Sequence, residues 1–268
     1  MKRVRLTYKA DELIPYINWD YFFHAWGIPP RQQSETAAKQ LQQEATSLIT
    51  ASNCNVRALF ALYGARSIDD NIEIEGTILP LLRQQHTLPG KPNLCLSDFI
   101  SPYSDHIGLF ATAIEGSFEE QKNHDDPYNS LMIQTVADRL AEAAATRLHL
   151  DVRTRSELWG YAPDEQSTIE ELLHEKHQGI RPAVGYPSLP DQSVIFIIDE
   201  LLTLSDAGIS LTPSGAMQPH ASVCGIIIAH PASRYFAVGN ICDEQLHDYA
   251  RRRGIGAEAL RKYLTRNI

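Results

Sequence analysis

Apolar residues recur with a helical period in the middle of the chain and in strand-like runs on either side. Residues 35–52 carry apolar side chains three and four positions apart, which predicts a helix. Short runs bounded by Gly, Pro, Asn and Asp predict three strands after it, at residues 56–63, 71–75 and 106–113. The segment before residue 30 is rich in aromatic side chains.

The longest predicted helix opens within residues 124–127. Asp126 is a natural N-cap there, and Pro127 suits the first helical position. The apolar stripe of this helix continues to about Arg155, which is long for a globular protein. We therefore expect a break near Asp151.

Two shorter helices are predicted after this one. The first covers residues 167–177, because Ser167 and Glu170 are spaced as a capping box and Gly179 suits a C-terminal cap. The second covers residues 193–204. Both lie in the helical middle of the chain.

The last part of the chain carries two more strand-like runs, residues 221–229 and 234–241, which are predicted to pair across residues 231–233. Two helices, 243–253 and 256–265, close the chain. Strands grouped early and late around a helical middle predict an α+β fold with antiparallel pairing.

Composition narrows the class of partner. A formal net charge of -9 disfavours nucleic acid, whose affinity comes chiefly from Lys and Arg that meet phosphates. The chain has no apolar run of about 18 residues and no apolar stretch behind its basic start, so neither a membrane span nor a signal peptide is predicted. Four dispersed cysteines without a CxxC motif indicate reduced, mostly buried thiols and a cytoplasmic protein. A small molecule or a protein is the expected partner.

The usual catalytic templates are absent from the sequence. It contains no P-loop, no GxGxxG after a strand and no GxSxG elbow, so no catalytic residue is assigned. Two sets of residues are candidate metal ligands: His174 with His177, and His220 with Cys224 and His230. Neither set has a known zinc spacing, so no metal site is predicted. A metal-dependent enzyme is the least favoured of three hypotheses.

The segment from residue 181 to residue 186 has the composition of a stiff loop. Arg181 could bind a carboxylate with two parallel hydrogen bonds. Gly185 would let the backbone approach a ligand, and Tyr186 could stack on a ring or face a cation. By composition alone, however, a purely structural loop is the better interpretation.

Blocks of sequence around this loop occur in a characteristic order. They are YNSLMIQTVADRLAE at 128–142, LWGYAPD at 158–164, QGIRPAVGY at 178–186, ASVCG at 221–225, AHP at 229–231 before Tyr235, and DYARR at 248–252. Upstream blocks are INW at 17–19 with FF at 22–23, DNIEI at 70–74 and LSDFI at 96–100. Together they resemble the activation domain of cobalamin-dependent methionine synthase, which binds S-adenosylmethionine (AdoMet). The resemblance covers nearly all of residues 1–268 and is strongest over 124–252.

This resemblance implies a single C-shaped domain with a twisted antiparallel sheet flanked by helices. In that family the domain supplies AdoMet to methylate cobalamin that has become oxidised, after a flavodoxin-type protein has donated one electron. The cobalamin-binding motif DxHxxG is absent, since Asp105 and His106 lack its spacing. Met1 is taken as the start of a complete protein. We therefore expect the cobalamin on a partner, either a methionine synthase without this domain or another corrinoid protein, and no complete active site in this chain alone.

The resemblance also implies a set of AdoMet-binding residues: Asn18, Glu142, Glu175, Arg181, Ala183, Gly185, Tyr186 and Tyr235. Arg181 would hold the methionine carboxylate, the backbone of Ala183 would meet the adenine, and two tyrosines would flank the ligand. Glu142 and Glu175 would be acidic contacts. Periodicity alone places Glu142 on a solvated face, and Glu175 could instead pair with Lys176 or a histidine.

The sequence departs from the family pattern at a few positions. Asn18 stands where the family has an acidic residue, which removes a charge that would attract the AdoMet cation. Phe236 stands where the family often has tyrosine, and Pro127 adds a residue at the helix start. The change at Asn18 keeps a second hypothesis open, a docking or regulatory subunit that has lost AdoMet binding.

Overall fold

An antiparallel sheet and one long helix form the framework of this computed structural model, which describes residues 2–33, 35–87, 89–123, 125–264 and 267. The strands are β1 (Lys2–Lys9), β2 (Asn55–Ile68), β3 (Asn71–Ile74), β4 (Thr77–Pro80), β5 (Asp105–Ile114), β6 (Ser210–Leu211), β7 (Met217–Gln218) and β8 (Ser222–Ile227). The α-helices are α1 (Ala10–Leu13), α2 (Trp19–Ala25), α3 (Thr36–Ser52), α4 (Gly116–Glu119), α5 (Pro127–Thr154), α6 (Ile169–Leu173), α7 (Val194–Leu202), α8 (Asp243–Arg253) and α9 (Ala257–Arg261).

Strand β2 is the hub of the sheet. The order is β4-β3-β2-β5-β8, and β1 pairs with the first half of β2, all antiparallel. Alternate residues of β2 point to opposite faces, as the two-residue period of a strand requires. Phe60 packs into the core that contains α5, and Leu59 packs into the core that contains α7. The predicted α+β class with a curled antiparallel sheet and flanking helices is confirmed.

Helix α5 runs without interruption along the sheet, so the break expected near Asp151 is wrong. Asp151 is buried, accepts a hydrogen bond of 2.8 Å from the Tyr8 hydroxyl and pairs with Arg147 at 3.2 Å. Because these partners occupy its carboxylate, it does not compete for the helix backbone. The N-cap is as predicted, since Asp126 accepts from the amides of Tyr128 and Asn129. His124, which belonged to the predicted opening, lies outside the described residues.

The helix predicted over residues 167–177 is much shorter, and its capping box lies one residue later. In α6, Thr168 is the N-cap and shares reciprocal hydrogen bonds with Glu171, at 3.2 and 2.8 Å. Ser167 donates instead to Glu165. The helix ends before Glu175, whose φ of +57° is left-handed, so Gly179 is not its cap.

The hairpin predicted from residues 221–229 and 234–241 is also wrong. β8 forms as expected, but it pairs with β5 on one side. Its other edge receives residues 180–184, through hydrogen bonds such as Val184 N to Cys224 O at 2.9 Å. Because residues 180–184 occupy that edge, residues 234–241 cannot pair with β8. They cross the loop that contains residues 180–184 as irregular chain.

The remaining predictions hold, most of them with altered bounds. The helices predicted over 35–52, 193–204 and 243–253 are α3, α7 and α8, whereas α9 is shorter than 256–265. Thr265, the end of that prediction, lies outside the described residues. Strands β1, β4, β6 and β7 were not predicted at all. Three cysteines are buried, and Cys242 is exposed. None of the helices among the described residues is long and apolar enough to cross a membrane.

Gly225 lets residues 180–184 lie directly on β8. A Cβ atom at Gly225 would be 2.2 Å from the carbonyl oxygen of Pro182 and 2.8 Å from the Cα atom of Ala183. Real Cβ atoms do not approach backbone so closely, and both neighbours are backbone that cannot rotate away. The position of the 181–186 loop therefore depends on this glycine.

We expect Gly225→Ala to lower the free energy of unfolding by about 2 kcal/mol or more, because the added methyl group forces the loop off the strand. Chemical denaturation measures this. Gly64→Ala is the matched control: Gly64 lies in β2, and a Cβ atom there meets nothing within 4 Å. Equal stability of the two variants would contradict the close approach.

Candidate functional site

A cleft of about 630 Å³ lies where α2, α5, the end of α6 and the 181–188 loop meet. Seven of the eight residues that the sequence assigned to a ligand line it: Asn18, Glu142, Glu175, Arg181, Ala183, Tyr186 and Tyr235. They come from distant parts of the chain and meet only in the fold. Gly185 is not among the lining residues.

Arg181 forms the floor of this cleft. Its Nη2 atom donates to Thr146 Oγ1 at 3.0 Å, and its Nη1 atom lies 3.4 Å from Glu142 Oε2. Burial acts to lower the pKa of the guanidinium, but Glu142 and Tyr235 outweigh it, and the pKa is raised. Its backbone amide donates to the Tyr235 hydroxyl at 2.9 Å. A guanidinium has five N–H donors, so this permanent cation keeps donors for an anionic ligand group.

Glu142 and Tyr186 connect the helix α5 wall to the loop wall. The Tyr186 hydroxyl donates to Glu142 Oε1 at 2.6 Å. Burial and this carboxylate raise the pKa of Tyr186, so the phenol stays protonated at neutral pH. The Glu142 side chain is only 22% exposed, so it does not lie on the solvated face that periodicity alone indicates. The Tyr186 ring is 51% exposed, at the mouth of the cleft.

Glu175 reaches the cleft from a left-handed backbone position. A non-glycine residue with a φ of +57° is held at a cost on the order of 1 kcal/mol. Glu175 is exposed as a residue, but the partial desolvation of its carboxyl in the cleft raises the pKa of Glu175, although the charge of Arg181 acts in the opposite direction. Among the ion pairs of the described residues, none joins Glu175 to Lys176. Its carboxylate faces the cleft without a strong partner.

Asn18 has a structural role in addition to its place in the cleft. It is the N-cap of α2, and its Oδ1 atom accepts from the Asp20 amide at 3.1 Å. The side-chain nitrogen makes no hydrogen bond within the described part of the chain and is available to the cleft. The residue thus serves the fold and the site at once.

The 181–186 loop contributes backbone as well as side chains. Ala183 is paired with Gly225 by a β-bridge in which the flanking residues make the hydrogen bonds, so the Ala183 amide has no partner within the described residues. Gly185 has a φ of +83°, and a Cβ atom there would lie 2.7 Å from Gln192 Oε1. The turn and the close approach of Gln192 both require a glycine here.

Sequence reasoning missed several residues of the cleft wall. Arg139 and Thr146 lie three residues before and four residues after Glu142, on one face of α5. That helical spacing was the signal that could have found them. Tyr21 and Tyr16 also line the cleft, and the Arg139 guanidinium lies 5.8 Å from the centre of the Tyr21 ring.

The two histidine sets do not form metal sites within the described residues, where no group of three or more His, Cys, Asp or Glu side chains could hold an ion. His174 contacts the Glu170 carbonyl oxygen, and His220 lies 3.6 Å from Asp138. His177 packs edge-on against His149, with ring centres 5.0 Å apart.

We expect Glu175→Gln to raise the melting temperature at pH 7 by about 1–2 °C. A carboxyl whose pKa is raised by folding is most favourable when protonated, so its ionisation near neutral pH costs stability. The gain should disappear at about pH 4, where the folded and unfolded carboxyls are both largely protonated. Thermal melts from pH 4 to pH 8 measure this.

Glu171→Gln is the matched control for this prediction. Hydrogen bonds from Thr168 lower the pKa of Glu171, so this variant should lose stability at neutral pH instead of gaining it. A drop in melting temperature for both variants would contradict the assignment at Glu175.

Two comparisons with known proteins identify the family of this chain. The family model described as "Vitamin B12 dependent methionine synthase, activation domain" matches residues 9–254. A crystal structure described as the MetH reactivation domain bound to AdoHcy is similar to the whole fold, with a TM-score of 0.89 and 36% sequence identity. That match covers 100% of this chain and 90% of the other. The chain therefore belongs to the family of vitamin B12-dependent methionine synthase activation domains.

Proposed function

We propose that this chain binds AdoMet in the cleft around Arg181 and presents its methyl group to reduced cobalamin carried by a partner. One observation carries the proposal: a single cleft gathers seven residues that the family resemblance assigns to AdoMet. The similar MetH domain was crystallised with AdoHcy, the product of methyl transfer from AdoMet. Family membership supports a role in reactivating cobalamin.

The charges of the cleft suit the two ends of AdoMet. Arg181 binds the methionine carboxylate with the N–H donors that Glu142 and Thr146 leave free. Glu175, whose carboxylate has no hydrogen bond or ion pair to the described residues, and Glu142 attract the ammonium group or accept from the ribose hydroxyls. The opposed charges set the direction in which the ligand lies.

Aromatic and backbone groups hold the rest of the ligand. The amide of Ala183, which has no partner in the described part of the chain, donates to an adenine nitrogen. Tyr186 and Tyr235 flank the ligand, and both phenols stay protonated because burial raises their pKa values. The ring of Tyr186 covers the sulfonium group, whose positive charge favours the face of an aromatic ring.

Catalysis by this chain is a matter of position. Cobalt of the reduced cofactor supplies the nucleophile when the partner is docked, so no general base is required of the protein. The sulfonium methyl of bound AdoMet would be the group transferred, and AdoHcy would be left in the cleft. The chain's own residues hold the sulfonium methyl in line with its acceptor, which is catalysis by proximity.

The cobalamin belongs to another module. All of this chain matches the MetH reactivation domain, and we assign residues 1–268 to one such unit. The partner is the cobalamin-binding module of a methionine synthase or another corrinoid protein. A flavodoxin-type donor supplies the single electron that reduces cob(II)alamin to cob(I)alamin before methyl transfer.

A second function is favoured by Asn18 alone. The uncharged amide weakens the attraction for a cationic ligand, which suits a docking or regulatory subunit that no longer binds AdoMet. Isothermal titration with AdoMet and with AdoHcy separates the two functions. Saturable binding at one site, followed by AdoMet-dependent methylation of a reduced cobalamin protein, supports reactivation. No heat of binding at millimolar ligand supports the docking subunit.

Arg181→Ala should weaken AdoMet binding by about 2 kcal/mol or more, roughly thirtyfold in Kd, because a charge-assisted pair to the carboxylate is lost. Titration calorimetry measures the change. Arg66→Ala is the matched control, since Arg66 pairs with Glu73 on the exposed sheet surface outside the cleft. Unchanged affinity in Arg181→Ala would show that the carboxylate binds elsewhere.

Asn18→Asp should tighten AdoMet binding by about five- to tenfold, since a charge-assisted contact replaces a neutral one. The fold should be unaffected, because Asn and Asp are equivalent N-caps. Asn240→Asp adds the same charge at an exposed position that does not line the cleft, and it should leave the Kd unchanged. If Asn18→Asp binds no better than the wild type, position 18 does not contact the cationic end of the ligand.

A further inference from the structure

A polar stripe on α5 continues from the cleft into the interior of the protein. Glu142, Thr146, His149 and Arg153 are spaced by four, three and four residues, so they share one face of the helix. The first two contact Arg181 in the cleft. His149 and Arg153 are each only 1% exposed. None of the contacts proposed for AdoMet uses these two buried groups.

His149 is a neutral histidine that is hydrogen-bonded to a partly buried tyrosine. Burial and the charge of Arg153 hold the pKa of His149 well below its usual value. Its Nε2 atom lies 2.8 Å from the Tyr161 hydroxyl oxygen, and that oxygen lies 3.4 Å from the carbonyl oxygen of Gln178. In the tautomer that carries its proton on Nε2, both distances are used: Nε2–H donates to Tyr161, and Tyr161 donates to Gln178. The two side chains thus form a relay from α5 to the turn after α6.

The turn at the end of this relay has almost no room to move. Gly179 has a φ of +82°, and a Cβ atom there would lie 2.5 Å from the Tyr161 hydroxyl and 2.8 Å from the Ile228 carbonyl oxygen. The Gln178 side chain donates to the Ala229 carbonyl oxygen at 2.8 Å. The turn is therefore held between Tyr161 on one side and the end of β8 on the other.

This turn connects two residues of the cleft. Glu175 precedes Gly179 by four residues, and Arg181 follows it by two. We propose that Tyr161, oriented by His149, is a positioning residue that fixes this turn and thereby sets the geometry of Glu175 and Arg181. This inference rests on the proposed function for its ligand, and on the fold alone for the order of the turn.

Tyr161→Phe tests the relay, because it removes one hydroxyl and keeps the ring. Two measurements are made on the full chain. Hydrogen–deuterium exchange of peptides that cover residues 174–181 should become about tenfold faster without ligand, and the Kd for AdoHcy should rise about tenfold, the scale of one buried hydrogen bond. Tyr63→Phe is the matched control, since its buried hydroxyl also donates to a backbone carbonyl oxygen, that of Leu201, outside the cleft.

The role of His149 is tested by two substitutions. His149→Gln keeps an N–H donor and should retain exchange rates and affinity within about twofold of the wild type. His149→Leu removes the donor and should match Tyr161→Phe. These variants keep the test valid if Tyr161→Phe folds poorly. Equal behaviour of the Gln and Leu variants would overturn the relay.

A double-mutant cycle separates positioning from general loosening. If Tyr161 acts through Glu175, Tyr161→Phe should change affinity less in a Glu175→Gln background than in the wild type. Additive losses, or unchanged exchange over residues 174–181, would overturn the inference. If wild-type protein binds neither AdoMet nor AdoHcy, the proposed function fails, while the exchange data still decide whether Tyr161 orders the turn.

Discussion

The contact on which the cleft depends is the direct backbone pairing of residues 180–184 with β8. It fixes the position of Arg181 relative to the sheet. It also directs the Ala183 amide away from β8. It also closes the free edge of β8, which explains why residues 234–241 are irregular. The pairing requires a glycine at position 225, because a Cβ atom there would clash with the backbone of the paired segment.

Helix α5 connects the cleft with the interior of the protein and with the sheet. One face of the helix presents Glu142 and Thr146 to the cleft, and the same face continues inward to His149 and Arg153. The opposite side packs on the sheet. Because a single uninterrupted helix bears both the ligand-facing carboxylate and the groups behind it, the two layers cannot shift independently. The electrostatics of the cleft are held by a rigid element, which suits a task that consists of orientation.

The sequence predicted best those features whose cause is local. The Asp126 cap and the bounds of α8 follow from neighbouring residues, and the structure agrees. Features that depend on residues distant in the sequence could not be predicted. The edge of β8 that residues 234–241 were expected to occupy is filled by residues 180–184. The membership of the cleft came from the resemblance, since periodicity alone left Glu142 on a solvated face. Helical spacing could have predicted Thr146, which lies one turn after Glu142. Its contact with Arg181, however, depends on the fold and could not be predicted.

Asn18 has a consequence for how such a protein can change over generations. Its side chain caps α2, and the capping requirement admits asparagine and aspartate equally. A single substitution between the two therefore alters the charge facing the cleft while the helix keeps its stability. Selection can adjust the affinity for a cation at this position without a compensating change in the core. Binding affinity and fold stability can therefore change independently at this one residue. Most other residues of the cleft also take part in the packing around them.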